Sequence, residues 1–439
     1  MGRGGEGQVN SAQVAQGGAG TRKTILIEGE VYDVTNFRHP GGSIIKFLTT
    51  DGTEAVDATN AFREFHCRSG KAEKYLKSLP KLGAPSKMKF DAKEQARRDA
   101  ITRDYVKLRE EMVAEGLFKP APLHIVYRFA EIAALFAASF YLFSMRGNVF
   151  ATLAAIAVGG IAQGRCGWLM HECGHFSMTG YIPLDVRLQE LVYGVGCSMS
   201  ASWWRVQHNK HHATPQKLKH DVDLDTLPLV AFNEKIAAKV RPGSFQAKWL
   251  SAQAYIFAPV SCFLVGLFWT LFLHPRHMPR TSHFAEMAAV AVRVVGWAAL
   301  MHSFGYSGSD SFGLYMATFG FGCTYIFTNF AVSHTHLDVT EPDEFLHWVE
   351  YAALHTTNVS NDSWFITWWM SYLNFQIEHH LFPSLPQLNA PRVAPRVRAL
   401  FEKHGMAYDE RPYLTALGDT FANLHAVGQN AGQAAAKAA

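Results

Sequence analysis

The 439-residue chain is poor in cysteine. Its six cysteines, Cys67, Cys166, Cys173, Cys197, Cys262 and Cys323, are scattered and form no Cys-x-x-Cys pair. That pattern excludes a disulfide-built scaffold and a zinc ribbon, and fits reduced thiols facing the cytosol. Charge is scarce too. Only 18% of residues are Asp, Glu, Lys or Arg, and a net charge of +4 argues against a nucleic-acid partner. Residues 1–22 are rich in Gly, Ala, Gln and Ser and lack any apolar run. They therefore read as disordered and not as a signal peptide. No retention signal of the KDEL type is present.

Apolar sequence and histidine are what the chain has in quantity. Hydrophobic residues make up 48% and are gathered in blocks. Five runs, about 123–143, 149–169, 254–273, 285–302 and 312–333, match the roughly 20 residues that cross a bilayer as a helix. The third and fifth contain no charged residue, whereas the first holds Arg128 and Glu131 and the fourth Glu286 and Arg293. Uncharged runs of this length point to a membrane rather than a soluble core. Upstream, Thr24-Ile25-Leu26-Ile27 and Val31-Tyr32-Asp33-Val34 flank a Glu28-Gly29-Glu30 turn, which predicts a hairpin in a small module over 24–80. Residues 91–116 are highly charged with apolar spacing near 3.6, which predicts a surface helix serving as connector. The Ala/Gly-rich stretch 413–439 is expected to fray.

Of 21 histidines, 17 lie between His124 and His380. Three clusters stand out: His171-Glu172-Cys173-Gly174-His175, His208-Asn209-Lys210-His211-His212 and Gln376-Ile377-Glu378-His379-His380. Helix positions i, i+3 and i+4 share a face, so each cluster presents its side chains together. Neutral imidazole suits Fe, Zn or Cu. Seven box histidines exceed the four ligands of a zinc site and suffice for two ions with positions left open for oxygen. A histidine-rich di-iron centre fits best. Cys173 faces away from His171 and His175 and is expected to pack.

Membrane parity constrains the layout. The boxes must meet on one side, yet three apolar blocks separate the second box from the third, so one block should not cross. Lys and Arg mark cytosolic loops. Nine lie in 170–252, Arg276 and Arg280 lie in 274–284, and none lies in 303–311. The first and second blocks, and the fourth and fifth, then form hairpins with cytosolic ends. Block 254–273 is left re-entrant or interfacial. In the N-terminal module, His39 in His39-Pro40-Gly41-Gly42 and His66 lie amid Phe37, Phe47, Phe62, Phe65 and Leu76. Such a pair suits a haem iron held from both faces, which transfers electrons and leaves no site for O2. A surface turn with an incidental histidine is the alternative.

Residues 29–35, His39-Pro40-Gly41-Gly42, Asp57-Ala58-Thr59 and Phe65-His66 resemble a cytochrome b5 domain, with His39 and His66 at its haem-ligand positions. Residues 123–410 resemble the membrane fatty acid desaturases with three histidine boxes. Gln376, opening the third box, is the mark of the b5-fused front-end branch, and Glu172 stands where the first box usually has Asp. Within that branch the chain is most similar to thraustochytrid-type delta-5 desaturases. The resemblance implies a mixed fold: a small α+β cytochrome b5-like haem domain, then an all-α multi-pass membrane domain with a cytosolic di-iron cap. The implied divisions are 1–22, 23–85 for the haem domain, a charged helical linker at 86–121, 122–412 for the desaturase domain and a tail at 413–439. His171, His175, His208, His211, His212, Gln376, His379 and His380 would carry two Fe ions. His334 is the further ligand expected, with His336 behind it. Asp221 and Asp223, after His220, would orient ligand histidines or else serve a cap or turn.

The implied reaction is O2-dependent insertion of a cis double bond between an existing double bond and the carboxyl end of a polyunsaturated acyl-CoA or phospholipid. Delta-5 on C20 chains is the main expectation. Delta-6, delta-4 and sphingolipid delta-8 activities share the motifs, and a lipid hydroxylase shares the scaffold. A non-enzymatic b5 carrier would leave the boxes unexplained. Electrons would come from NADH-cytochrome b5 reductase through haem b, at the endoplasmic reticulum membrane with the N-terminus and active site cytosolic. Trp364-Phe365-Ile366-Thr367-Trp368-Trp369 is expected to line the acyl tunnel or to form an interfacial belt. Trp203 and Trp204 are expected to wall the substrate or to pack.

Overall fold

The computed structural model describes residues 22–431 apart from 53 and 225. The segment expected to be disordered lies outside the described residues except for Arg22. The N-terminal hairpin forms as predicted. Strand β1 (Lys23–Ile27) pairs antiparallel with β2 (Glu30–Asp33), with Ile25 opposite Tyr32. The turn residues Glu28 and Gly29 both take left-handed φ, 53° and 80°, the backbone a two-residue hairpin turn requires. Two short strands, β3 (Thr50–Asp51) and β4 (Lys81–Gly83), complete a sheet of order β3-β1-β2-β4. Helices α1 (Thr59–His66) and α2 (Lys71–Ser78) cover it, and Ile25, Ile27, Tyr32, Val34 and Ala58 form the core. Strand pairing reaches beyond residue 85, through a bridge from Ala55 to Met88.

Helix α3 (Ala92–Ala114) starts at Asp91, whose carboxylate accepts from Glu94 N at 2.8 Å. It is more than a surface connector. Ile101, Tyr105, Leu108 and Met112, at helical spacing, are buried in a core shared with Trp348, Val349, Ile377, Leu381 and Phe382. Its charge sits on the other face, and that charge dominated the sequence pattern.

The apolar half begins with α4 (Pro122–Ser144) and α5 (Val149–Gly174), followed by α6 (Ile182–Cys197), α7 (Ala201–Ala213), α8 (Gln253–Arg280), α9 (Phe284–Ser303) and α10 (Gly308–Ala331). Among the described residues, four helices, α4, α5, α8 and α9, are long and apolar enough to cross a membrane. The charges inside the apolar blocks are all engaged. Arg165 pairs with Glu131 at 2.6 Å and Arg128 with Glu172 at 3.5 Å, joining α4 to α5. Arg293 lies over the rings of Phe136, Trp297 and Tyr315, and Glu286 accepts from Ser202 N at 2.8 Å. Buried intramembrane charge needs such partners.

Helix α10 runs parallel to α5. Gly159 faces Thr318, Gly160 faces Phe321 and Gly164 faces Tyr325. Helix α8 behaves differently. Ala258 O accepts from Thr324 and Gly266 abuts Cys323, so α8 passes α10 near its middle. Yet both ends of α8 lie on the side of the boxes. Gln253 bonds the carbonyl of Leu424 at 2.8 Å, and His274 Nδ1 accepts from Ser200 N at 2.8 Å. Two π-helical segments, Phe257–Ser261 and Trp269–Leu273, interrupt it. By length and composition α8 can cross a membrane, while both of its ends contact elements beside the boxes. Helix α10 follows the path of α5 despite its more polar sequence.

Beyond α10 come α11 (Trp348–His355), α12 (Trp364–Trp369), α13 (Gln376–Leu381), α14 (Ala390–Lys403) and α15 (Tyr413–Gln429). A short parallel strand pair, Asn358–Val359 with Glu410–Arg411, interrupts the helices. Helix α15 corrects the expectation of a frayed tail from 413. Ala416, Thr420, Leu424 and Val427 recur at helical spacing and are buried; small residues allowed close packing here rather than disorder. The aromatic segment divides. Trp364 and Phe365 are exposed, as in an interfacial belt, while Trp368 Nε1 donates to Glu131 at 2.5 Å and Trp369 Nε1 to Asn329 at 3.0 Å.

Candidate metal centre

The first box ends α5. His171 lies in its last turn and His175 caps it, four residues on and therefore on the same face. The second box is carried by α7, whose N-cap Ser200 accepts from Trp203 N at 3.2 Å. The buried Glu286 carboxylate beside that terminus matches the positive end of the helix dipole. The third box is carried by α13, whose first turn is fixed by Asn358 Oδ1 accepting from Ile377 N at 2.9 Å. His334 follows α10, and His355 O accepts from its Nδ1 at 2.8 Å.

These elements converge on two adjoining sets of buried histidines. His171, His175, His208, His212 and His379 form one, and His211, His334 and His380 the other, with the ligand atoms of each set within 4.8 Å of one another. The boxes do not map one to one onto the sets. Adjacent helix residues point about 100° apart, so His211 and His212, like His379 and His380, fall into different sets. The sets meet where the His212 and His380 rings stack at 4.1 Å.

The donor set fits metal ions. His208 Nε2 and His379 Nε2 each lie 3.0 Å from His212 Nε2. Nitrogens binding one ion at about 2.1 Å and at right angles would sit about 3 Å apart. His175 Nε2, His212 Nδ1, His380 Nδ1 and Gln376 Oε1 are buried with no hydrogen-bond partner. Burial pushes His175 down to about 3 and His334 likewise to about 3, and holds His208, His212, His379 and His380 well below the usual histidine range. These rings are thus neutral, the form that binds metal. His211 differs. Burial works against its charge, but Asp221 and Asp223 raise it to about 9.

The surrounding shell fixes the rings. Asp221 Oδ2 accepts from His211 Nδ1 at 2.9 Å and from Gln216 N at 2.7 Å, so Asp221 both touches the ring and closes a turn, and Asp223 lies 3.4 Å from the same ring nitrogen. Gln387 Nε2 lies 3.2 Å from His171 Nδ1. Glu378 is pushed up to about 7 by burial and accepts from Asn358 and Tyr408, each at 2.8 Å. Trp204 stacks on His208 at 4.2 Å, while Trp203 packs against Trp269 and His274. Cys173 is buried beside Met178, as expected of a packing residue. His336 stands outside both sets, 3.4 Å from Thr357 Oγ1. Gln387, Asn358, Tyr408 and His355 had no sequence signal, since each acts across a long stretch of chain.

In the N-terminal unit His39 and His66 face each other with ring centroids 6.0 Å apart. An iron held by both rings at about 2 Å from each nitrogen would give about that separation. His66 Nδ1 is engaged by Phe62 O at 2.8 Å, leaving Nε2 free. Both rings line a cavity of about 520 Å3 with Ile25, Phe37, Phe62 and Leu76. Haem fits this cradle.

The Fatty acid desaturase family profile matches residues 147–412, and the Cytochrome b5-like Heme/Steroid binding domain profile matches residues 10–84. An acyl-lipid (8-3)-desaturase of Thraustochytrium sp is 58% identical over 434 residues, 98% of each chain. One of Rebecca salina is 53% identical over 407 residues, covering 92% of this chain and 91% of the relative. Fatty acid desaturase 3 of Homo sapiens is 31% identical over 420 residues, covering 92% and 89%. With both halves matched in their natural order, the chain belongs to the fatty acid desaturase family as a b5-fused front-end desaturase, a membrane oxidoreductase.

Proposed function

We propose that the chain is an acyl-lipid front-end desaturase that inserts a cis double bond at carbon 5 of a C20 polyunsaturated chain. The observation that carries the reading is the pair of adjoining buried histidine sets next to a bis-histidine haem cavity. His171, His175, His208, His212 and His379 would hold one iron and His211, His334 and His380 the other, and Gln376 Oε1 is buried without a hydrogen-bond partner. A di-iron centre supplies the O2-derived oxidant that an unactivated methylene demands. The protein's own part is placement, because small displacement of the reacting carbons is costly. Asp221 fixes the tautomer of His211, His355 O that of His334, and Gln387 the ring of His171. His39 and His66 would hold a haem, which would supply electron transfer. NADH-cytochrome b5 reductase is the proposed donor, at the endoplasmic reticulum membrane with the boxes on the cytosolic side. An apolar cavity of about 470 Å3 between α8, α9 and α10, lined by Leu267, Val294, Trp297, Tyr315 and Phe319, suits an acyl chain.

The relatives' names print (8-3) and no delta number. We read this as a new bond three carbons to the carboxyl side of a bond at carbon 8, which supports carbon 5. Read instead as the position of the new bond, the digit favours a delta-8 product. Expression in yeast fed 20:3 and 18:2 acids, with double-bond positions located by mass spectrometry, separates these. A new bond at carbon 5 is expected. A delta-8, delta-6 or delta-4 product overturns the regiochemistry, and a hydroxy acid with no new double bond overturns the desaturation.

A further inference from the structure

The cavity that His39 and His66 face is not closed by the b5-like unit. Gly174, His175, Phe176, Asn209, Pro383 and Ser384 form one of its walls. His175 belongs to the five-histidine set, so the two redox sites share a wall. Bonds beside the haem ligand hold that wall in place. Arg68, two residues after His66, donates from Nη2 to the carbonyl oxygens of Phe118 at 2.8 Å and Ser384 at 3.0 Å. Its guanidinium fills the space over Gly180, where a Cβ would lie 3.0 Å from Nη1. Cys67 Sγ lies 3.1 Å from Ser384 Oγ. Glu64, buried on the same helix, accepts from Arg109 Nε at 2.6 Å, and Tyr105 Oη lies 2.8 Å from both Glu64 Oε1 and the Leu381 carbonyl, next to His380.

We propose that the b5-like unit keeps this docked pose throughout turnover and that Arg68 is the positioning residue that fixes it. The inference rests on the desaturase reading. Each turnover removes two hydrogens from the acyl chain and reduces one O2 to two waters. Two of the four electrons come from the broken C–H bonds, two arrive singly from ferrous haem, which becomes ferric, and two protons come from solvent. The haem carries one electron, so the reductase must reload it between transfers. A docked unit must then be reloaded through its open face, where Arg38 and residues 40–43 beside His39 are exposed.

Ser384→Cys in the full-length holoenzyme tests the pose. It sets a thiol against Cys67, while the other five cysteines are buried. Oxidised glutathione closes the pair: two thiols give up two electrons and two protons, and glutathione disulfide becomes two glutathione thiols. The linked peptide is detected by mass, independently of activity. Oxidised and reduced forms of this one variant are then compared by stopped-flow haem absorbance with reductase, O2 and acyl substrate. The linked form is expected to be reduced and reoxidised within threefold of the unlinked form. A tenfold or greater loss on linking, or failure of the link to form, overturns the docked pose. Arg68→Ala is expected to keep the haem spectrum, to slow linking in the Ser384→Cys background tenfold and to slow haem reoxidation tenfold. Once linked, the double variant should recover reoxidation. Unchanged linking and reoxidation in Arg68→Ala overturn its role. Normal haem reoxidation without a new double bond in the unmodified enzyme counts against the desaturase reading and leaves the docking result standing.

Discussion

Replacing Gly164 by alanine tests how closely α5 and α10 approach. A Cβ there would lie 2.0 Å from Tyr325 Cδ1 and 2.3 Å from Cε1, whereas ordinary contact begins at 3.4 Å. The ring must retreat about 1.4 Å or the helices must part. Tyr325 has no room to retreat. It is 4% exposed, its hydroxyl accepts from Trp168 Nε1 at 3.1 Å, and it donates to the Trp369 carbonyl. Overpacking of this kind costs about 1–3 kcal/mol, and each disturbed hydrogen bond about 1 kcal/mol. Alanine returns about 1 kcal/mol of helix propensity. The balance is a loss of about 2–4 kcal/mol, or roughly 4–16 °C in melting temperature by the scaling for domains of 150–250 residues. Because α5 ends in His171 and His175 and α10 leads to His334, iron per chain should fall as well. Gly418→Ala is the control. Nothing lies within 4 Å of its Cβ position on α15, so the same change should stabilise by up to about 1 kcal/mol. Both are read by fluorescence melting in detergent and by iron analysis. A Gly164→Ala protein that melts at or above the wild-type temperature with full iron would refute the parallel packing of α5 on α10.

His208→Ala should abolish desaturation and lower bound iron while leaving the haem absorption intact; surviving product would remove His208 from the ligand set. His39→Ala should lose the haem spectrum and, without added cytochrome b5, the product; full activity would end the fused-donor reading. Asp221→Asn takes the charged acceptor from His211 Nδ1, and such changes typically weaken metal binding about 10–100-fold. Chelator titration measures this, and an unshifted midpoint would show that Asp221 does not orient the ring.

The clustered histidines were legible in sequence wherever their relation is local. His208 with His212, and His171 with His175, are four apart, and a helix brings such pairs together without help from the rest of the fold. Their division into two sets was not legible, because it depends on where α5, α7, α10 and α13 cross. The supporting shell was hidden for the same reason. Gln387 reaches His171 from 216 residues away, and nothing around Gln387 marks it. Two local readings fell short, one of them because composition outweighed periodicity. In α15 the Ala and Gly content concealed the buried stripe Ala416, Thr420, Leu424 and Val427. In α3 the 3.6 spacing and the helix were legible, but not the distant core that the stripe of Ile101, Tyr105, Leu108 and Met112 enters.

That second stripe bears on how the two halves work together. Had α3 been only a solvated connector, the b5-like unit would hang on a tether, and its haem cavity would meet the boxes by diffusion. Instead Tyr105 links Glu64 of the b5-like unit to the carbonyl that follows His380, and the rest of α3 shares a core with α13. If the unit swung away, the buried Glu64 would lose both Tyr105 and Arg109, its partners on α3. The charged residues of α3 that resembled a linker in sequence therefore coat the outside of a joint, and the apolar residues between them hold it closed.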